Sequence, residues 1–185
     1  MLNPGFPWGG SETSQPFEVP MDFYEVVRER RSVRQYASQP VPTEKLDRIW
    51  EALRWAPSAC NLQPWRFIAL KTKESQSRLR GILQDWVFTA PLIIVGVGNR
   101  KQAWSRDGES IHPIDVSIAT EHLVLAAAAE GLGTCWICAF NRPALHRAMG
   151  LSPDWDPVVV TPLGYPDDFS PRTDRKAISE IIQVI

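Results

Sequence analysis

Residues 90–97 read Ala-Pro-Leu-Ile-Ile-Val-Gly-Val, apolar at every position, and are closed off by Gly98 and Asn99. The run is far shorter than the roughly 20 residues a helix needs to cross a bilayer. With no polar alternation it reads as a strand buried on both faces. Such a strand needs a covering layer on each side, so the rest of the chain must supply helices around a sheet. Residues 157–163 repeat the apolar pattern, and residues 65–70 read as a third strand.

Helical signals lie between the strands. Asp22 is a good N-cap for Phe23, Val26, Val27 and Arg30 at helical spacing. Thr43 and Glu44 open a second helix with Leu46, Ile49, Trp50 and Leu53 on one face, stopped by Pro57. Residues 74–86 predict a helix through Leu79, Ile82, Leu83 and Trp86. Residues 100–113 read as a charged surface loop, and 115–131 as the strongest helix, ended by Gly131 and Gly133. A strand over 134–140, a helix over 142–149 and an apolar tail over 178–185 complete the pattern. The interspersed strands and helices read as a helix-flanked sheet. The expected division is one domain over 21–185 behind an extended arm, 1–20, that carries Pro4, Pro7, Pro16 and Pro20. Exposed, the Ile-Ile-Gln-Val-Ile end would be an aggregation hazard, so pairing with a second subunit is expected.

Composition removes several classes. A net charge of −1, from 20 basic and 21 acidic residues, argues against a nucleic-acid partner held by bulk electrostatics. Three cysteines exclude a disulfide scaffold and fit a reducing compartment. The first 20 residues have neither a basic start nor an apolar block. The expectation is a cytoplasmic protein without a membrane partner.

Three segments carry candidate chemistry. Arg30, Arg31 and Arg34 surround Ser32 where helix gives way to extended chain. Guanidinium forks and a hydroxyl suit a phosphate, although the same cluster suits a solvated helix end. Pro57, Ser58, Ala59, Asn61 and Gln63 form a polar loop whose directed hydrogen bonds and small side chain suit the edge of a planar heterocycle; it also reads as a loop held by prolines. The third segment runs from Gly131 through Cys135, Trp136, Ile137, Cys138 and Ala139. Its C-x-x-C spacing lacks two further zinc ligands, and in a strand the two sulfurs would face opposite ways, so no metal is expected. Gly96-Val97-Gly98 lacks the third glycine and the following helix of a dinucleotide fingerprint.

The order of Arg30-Arg31-Ser32-Val33-Arg34, the 56–65 loop, Gly131-Leu132-Gly133-Thr134-Cys135-Trp136-Ile137 with Leu163-Gly164-Tyr165-Pro166, and Arg175-Lys176 resembles the nitroreductase family of flavoproteins. The resemblance spans 21–185. It implies an α+β fold with a central mixed sheet flanked by helices, and an intertwined homodimer with FMN in the interface and a C-terminal segment paired with the partner. It also implies that Arg30, Ser32 and Arg34 hold the phosphate and ribityl end, with Arg31 acting partly through its backbone. Arg175 and Lys176 would join them. Pro57, Ser58, Ala59, Asn61 and Gln63 would come from the other subunit, while Trp136, Ile137, Cys138 and Ala139 would line the opposite ring edge with backbone N–H groups near N5. Cys138 departs from the glycine or acidic residue of many relatives. The implied activity is ping-pong hydride transfer from NAD(P)H to nitroaromatic, quinone or similar small acceptors, with no essential catalytic side chain. Alternatives on the same cradle are an oxidase or dehydrogenase of a peptide-like substrate and a flavin-binding protein without turnover.

Overall fold

Strand β2 (Leu92–Asn99) is buried at all eight positions and occupies the middle of the sheet. The computed structural model describes residues 22–167, 171 and 173–185; the expected 1–20 arm lies outside the described residues. Strand β1 (Trp65–Leu70) pairs with one edge of β2 and β6 (Trp155–Gly164) with the other, and β5 (Gly133–Thr134) follows β6. These ladders are antiparallel throughout. Among the described residues, the parallel component at the edge of this sheet is the bridge from Ser32 to Thr134.

Alternation along β2 feeds two apolar layers. Leu92 and Ile94 pack with Leu46, Ile49 and Leu53 of α2 (Thr43–Arg54) and with Leu123 and Val124 of α4 (His112–Ala129). Ile93, Val95 and Val97 pack with Leu79, Leu83, Val87 and Phe88 and with Leu145 of α5 (Arg142–Ala148). The expected helix-flanked α+β sheet is therefore what forms. On the α4 face the side chains shrink from Leu92 and Ile94 to Gly96 and Gly98. A Cβ at residue 98 would lie 2.7 Å from the His112 ring. The Gly-Val-Gly sequence thus serves the approach of α4, and no nucleotide is needed to account for it.

Three expected elements differ. The 74–86 helix is cut to α3 (Lys73–Ser77), because Gly81 takes φ +76°, a left-handed turn that no helix continues. The chain resumes as a 3-10 turn over Asp85–Thr89, and its apolar residues still reach the core. The 100–113 loop contains a hairpin, β3 (Ser105–Arg106) and β4 (Glu109–Ser110), turned at Asp107-Gly108 with both φ positive. The 134–140 strand is confined to β5 and one further bridge, Ile137 to Val160. Among the described residues no helix is long and apolar enough to cross a membrane.

A buried polar cluster fixes the start of α4. His112 Nε2 meets Asp156 Oδ2 at 3.3 Å, and Ser110 Oγ meets His112 Nδ1 at 3.1 Å. Arg100 and Arg142 each reach the Asp156 carboxylate at 3.4 Å. These contacts tie β6 to α4, to α5 and to the residue that follows β2. Burial holds the His112 imidazole below its ordinary pKa, and Arg100 and Arg142 push the same way against Asp156. An unfolded chain takes up that proton near pH 6.5, whereas the folded chain resists it. Stability therefore falls as pH drops below about 6.5 and stops falling from this cause only below the folded pKa. Urea denaturation at pH 7 and pH 5.5 should show a larger loss in the wild type than in His112→Gln; equal losses would remove His112 from the account.

Candidate functional site

The arginine cluster is placed by backbone pairing. Helix α1 (Phe23–Glu29) is capped by the Asp22 carboxylate, which accepts from Tyr24 N–H, and gives way to extended chain at Arg30. Val33 N–H donates to Thr134 O at 2.8 Å and Ala37 N–H to Tyr165 O at 2.9 Å. The segment so fixed buries Val33 and Tyr36, while Arg34 stays exposed. The Tyr36 hydroxyl donates to Val33 O at 2.7 Å, and burial raises its pKa far above the usual phenol range. Gly133 makes the approach possible, since a Cβ there would lie 2.6 Å from Val33 Cγ2.

Beside this edge lies a cleft of about 180 Å³, lined by Arg34, Gln84, Trp86, Val87 and residues 135–139. Neither Arg30 nor Arg34 forms an ion pair among the described residues. Arg31 does, with Glu29 at 3.4 Å, and it also donates to the Arg30 carbonyl, so its guanidinium is engaged on its own helix end. Ser32 hydrogen-bonds Cys135, whose thiol is pushed up by burial against the pull of Arg34. The Ile137 amide is occupied by Val160 O, which removes it as a free donor. The Cys138 and Ala139 amides donate to no backbone carbonyl among the described residues, and both residues are exposed at the cleft. Trp136 Nε1–H donates to Glu121 at 3.1 Å, which turns the indole toward α4. Cys135 is buried and Cys138 exposed, but both border the cleft, so the expected separation onto opposite faces of a strand does not describe them.

The polar loop lies elsewhere. Ser58 Oγ accepts Gln63 N–H at 2.9 Å, and Gln63 Nε2 donates to Asn61 Oδ1 at 3.1 Å. Ala59 N–H donates to the buried Asp115 carboxylate at 3.0 Å. Cys60, Asn61 and Gln63 all take positive φ, near 50°. Pro57, Cys60, Asn61 and Gln63 are exposed.

The strand register fixes the relation of the two halves. The loop enters β1 at Trp65, opposite Gly98 of β2. Thr134 faces Leu163, which faces Leu92 at the other end of β2. From β1 to β5 is three strand spacings, about 14 Å, and from Gly98 to Leu92 is six residues, about 20 Å. The halves thus occupy diagonal corners of one sheet, about 25 Å apart. Arg175 donates to Thr173 and Asp174 of its own segment, and Lys176 is exposed; none of these bonds joins the tail to Arg30 or Arg34. Gln84, Trp86 and Val87 were not anticipated as cleft residues. Their only sequence signal was the Gly81 break, which separates them from α3.

Gly133→Ala should cost about 1–3 kcal/mol in chemical denaturation, as overpacking does. The same change should cost less in a Val33→Ala background, because the clash partner is gone.

The family model described as Nitroreductase family matches residues 27–83 and 76–165. A Methanothermobacter thermautotrophicus protein assigned as an NADH dehydrogenase/NAD(P)H nitroreductase is 29% identical over 157 residues, covering 79% of this chain and 78% of its own. The crystal structure of a nitroreductase family protein from Clostridium difficile 630 superposes with a TM-score of 0.82 at 32% identity, over 88% of this chain and 98% of the other. A protein from Exiguobacterium sibiricum 255-15, assigned as a nitroreductase and solved in complex with FMN, gives a TM-score of 0.81 at 23% identity, over 89% and 98% of the two chains. Family match, fold and motif order agree, and the chain belongs to the nitroreductase family.

Proposed function

We propose that this chain is an FMN-dependent oxidoreductase that takes its reducing equivalents from NAD(P)H and works as a homodimer. Its family is one of oxidoreductases, one relative is assigned as an NAD(P)H nitroreductase, and a fold neighbour was solved with FMN. The observation that carries the reading is the cleft: Arg34, which has no ion-pair partner among the described residues, lines it together with Cys138 and Ala139, whose amides meet no backbone carbonyl among those residues, and Arg30 lies four residues before Arg34. That donor set fits a dianionic phosphate ester joined to a flat heterocycle.

Bound FMN would supply the redox chemistry, taking a hydride from NAD(P)H and passing it to a nitroaromatic, quinone or similar acceptor in alternation. The protein's part is to hold and tune. Arg30, Ser32 and Arg34 would bind the phosphate and ribityl end. The amides of Cys138 and Ala139 would face the ring edge and favour negative charge there. Pro57, Ser58, Ala59, Asn61 and Gln63 would come from the partner subunit. The diagonal placement of the two halves supports this, since one chain cannot close both around one ring. Trp136, Ile137, Arg175 and Lys176 complete the proposed set, the last two joining the phosphate from the tail. No side chain is required as an acid or base.

The purified protein should show a flavin spectrum that bleaches on anaerobic addition of NADPH or NADH. A flavin spectrum that survives both donors would overturn the reductase reading. A protein that stays colourless after incubation with FMN would overturn the cofactor assignment. Arg34→Glu replaces one charge-assisted contact, worth about 1.5–3 kcal/mol, with a repulsion. It should raise the FMN Kd at least about 30-fold, a factor of ten being about 1.4 kcal/mol.

A further inference from the structure

We propose that Asp115 is a positioning residue, whose carboxylate sets the shape of the 57–63 loop that meets the flavin ring. The inference rests on the cofactor reading above and assigns a role to a residue outside the cleft. Asp115 lies in the first turn of α4 and is 1% exposed. One of its oxygens accepts Ala59 N–H at 3.0 Å. The other, Oδ2, is buried without a hydrogen-bond partner among the described residues. A buried carboxylate with one oxygen unsatisfied is costly, and the start of a long helix offsets only part of that cost.

The loop explains what the carboxylate does. Ser58, Asn61 and Gln63 hydrogen-bond among themselves and hold the turn closed. Three of its residues stand in the left-handed region, which side chains other than glycine occupy only when the surroundings fix them. The bond to Asp115 joins this closed turn to the helix layer. It enters at Ala59, one residue ahead of the first left-handed position. Removing the acceptor frees the turn to relax toward ordinary backbone conformations, and its polar groups then no longer present one fixed edge.

Asp115→Ala removes the acceptor, Asp115→Asn keeps a side-chain oxygen in place without the charge, and Ala59→Pro removes the donor from the other side. Residue 58 already has the extended backbone that a following proline requires. Hydrogen exchange of the flavin-free protein should show faster exchange over 57–63 in Asp115→Ala and Ala59→Pro, and near wild-type exchange in Asp115→Asn. FMN titration should give a Kd about tenfold higher in Asp115→Ala and Ala59→Pro, with an altered visible spectrum of the bound flavin. Asp115→Asn should stay within about threefold of the wild type. Wild-type exchange and wild-type FMN affinity in Asp115→Ala would overturn the proposal. So would equal impairment of the Asn and Ala variants, which would make charge, not the accepted bond, the cause. If the wild type binds no FMN, the cofactor reading fails and takes the flavin role of Asp115 with it, while hydrogen exchange still decides whether Asp115 holds the loop. Should Asp115→Ala fail to fold, Ala59→Pro decides the question on the same two readouts.

Discussion

Strand β2 has no solvent face, and most of the molecule follows from that. Leu92, Ile93, Ile94, Val95 and Val97 are 3% exposed or less. Burying one such side chain is worth roughly 1.5–3 kcal/mol, so leaving either face uncovered would forfeit several such contributions. The two layers that cover β2 are unequal. On one side α4, 18 residues and about 27 Å long, crosses from the Gly98 end toward the Leu92 end. On the other, short turns around Gly81 and the small helix α5 fill the space. The taper from Leu92 and Ile94 to Gly96 and Gly98 records how closely the N-terminal half of α4 approaches.

Helix α4 thereby holds both parts of the candidate site. Its first turn takes the Ala59 amide through Asp115, and its end receives Leu132 N–H on Ala127 O at 2.8 Å, just before β5. Lys45 caps the same end by donating to Glu130 O, and Arg48 pairs with the Glu130 carboxylate, holding its pKa below the usual carboxylate range. The helix is therefore a fixed strut between two corners.

How much of this was legible depended on the range of the interaction. The apolar runs of β2 and β6 and the alanine-rich α4 were visible because burial on both sides leaves no polar alternation to misread. The helix expected over 74–86 failed because Leu79, Ile82, Leu83 and Trp86 satisfy helical spacing, yet Gly81 at φ +76° overrides it. The hairpin at Asp107-Gly108 was hidden in a charged stretch, though its turn dipeptide was in plain view. The candidate segments were readable one by one as basic and polar motifs. Their placement at opposite corners was not, since it depends on the pairings Trp65–Gly98 and Thr134–Leu163, set by contacts far apart in sequence. Asp115 was invisible for the same reason: nothing local distinguishes a buried clamp from an ordinary acidic residue in the first turn of a helix.

The corner geometry also couples assembly to ligand binding on the proposed arrangement. A cleft of about 180 Å³ lies below the roughly 300 Å³ at which sites for ligands of drug size begin. In the proposed homodimer a two-fold pair would bring the loop corner of each copy to the arginine corner of the other and would complete two sites at once. A ligand that needs both walls then binds the pair and not the single chain. At a hundred times its Kd it favours association by about 2.7 kcal/mol per site. The exposed Ile178, Ile181, Ile182 and Ile185 at the C-terminus would enter the same balance in the proposed homodimer. Apolar contact by such residues is non-directional and would bring copies together, whereas in the proposed homodimer the register of the two corners would be fixed where phosphate, amide and loop groups meet around one ring.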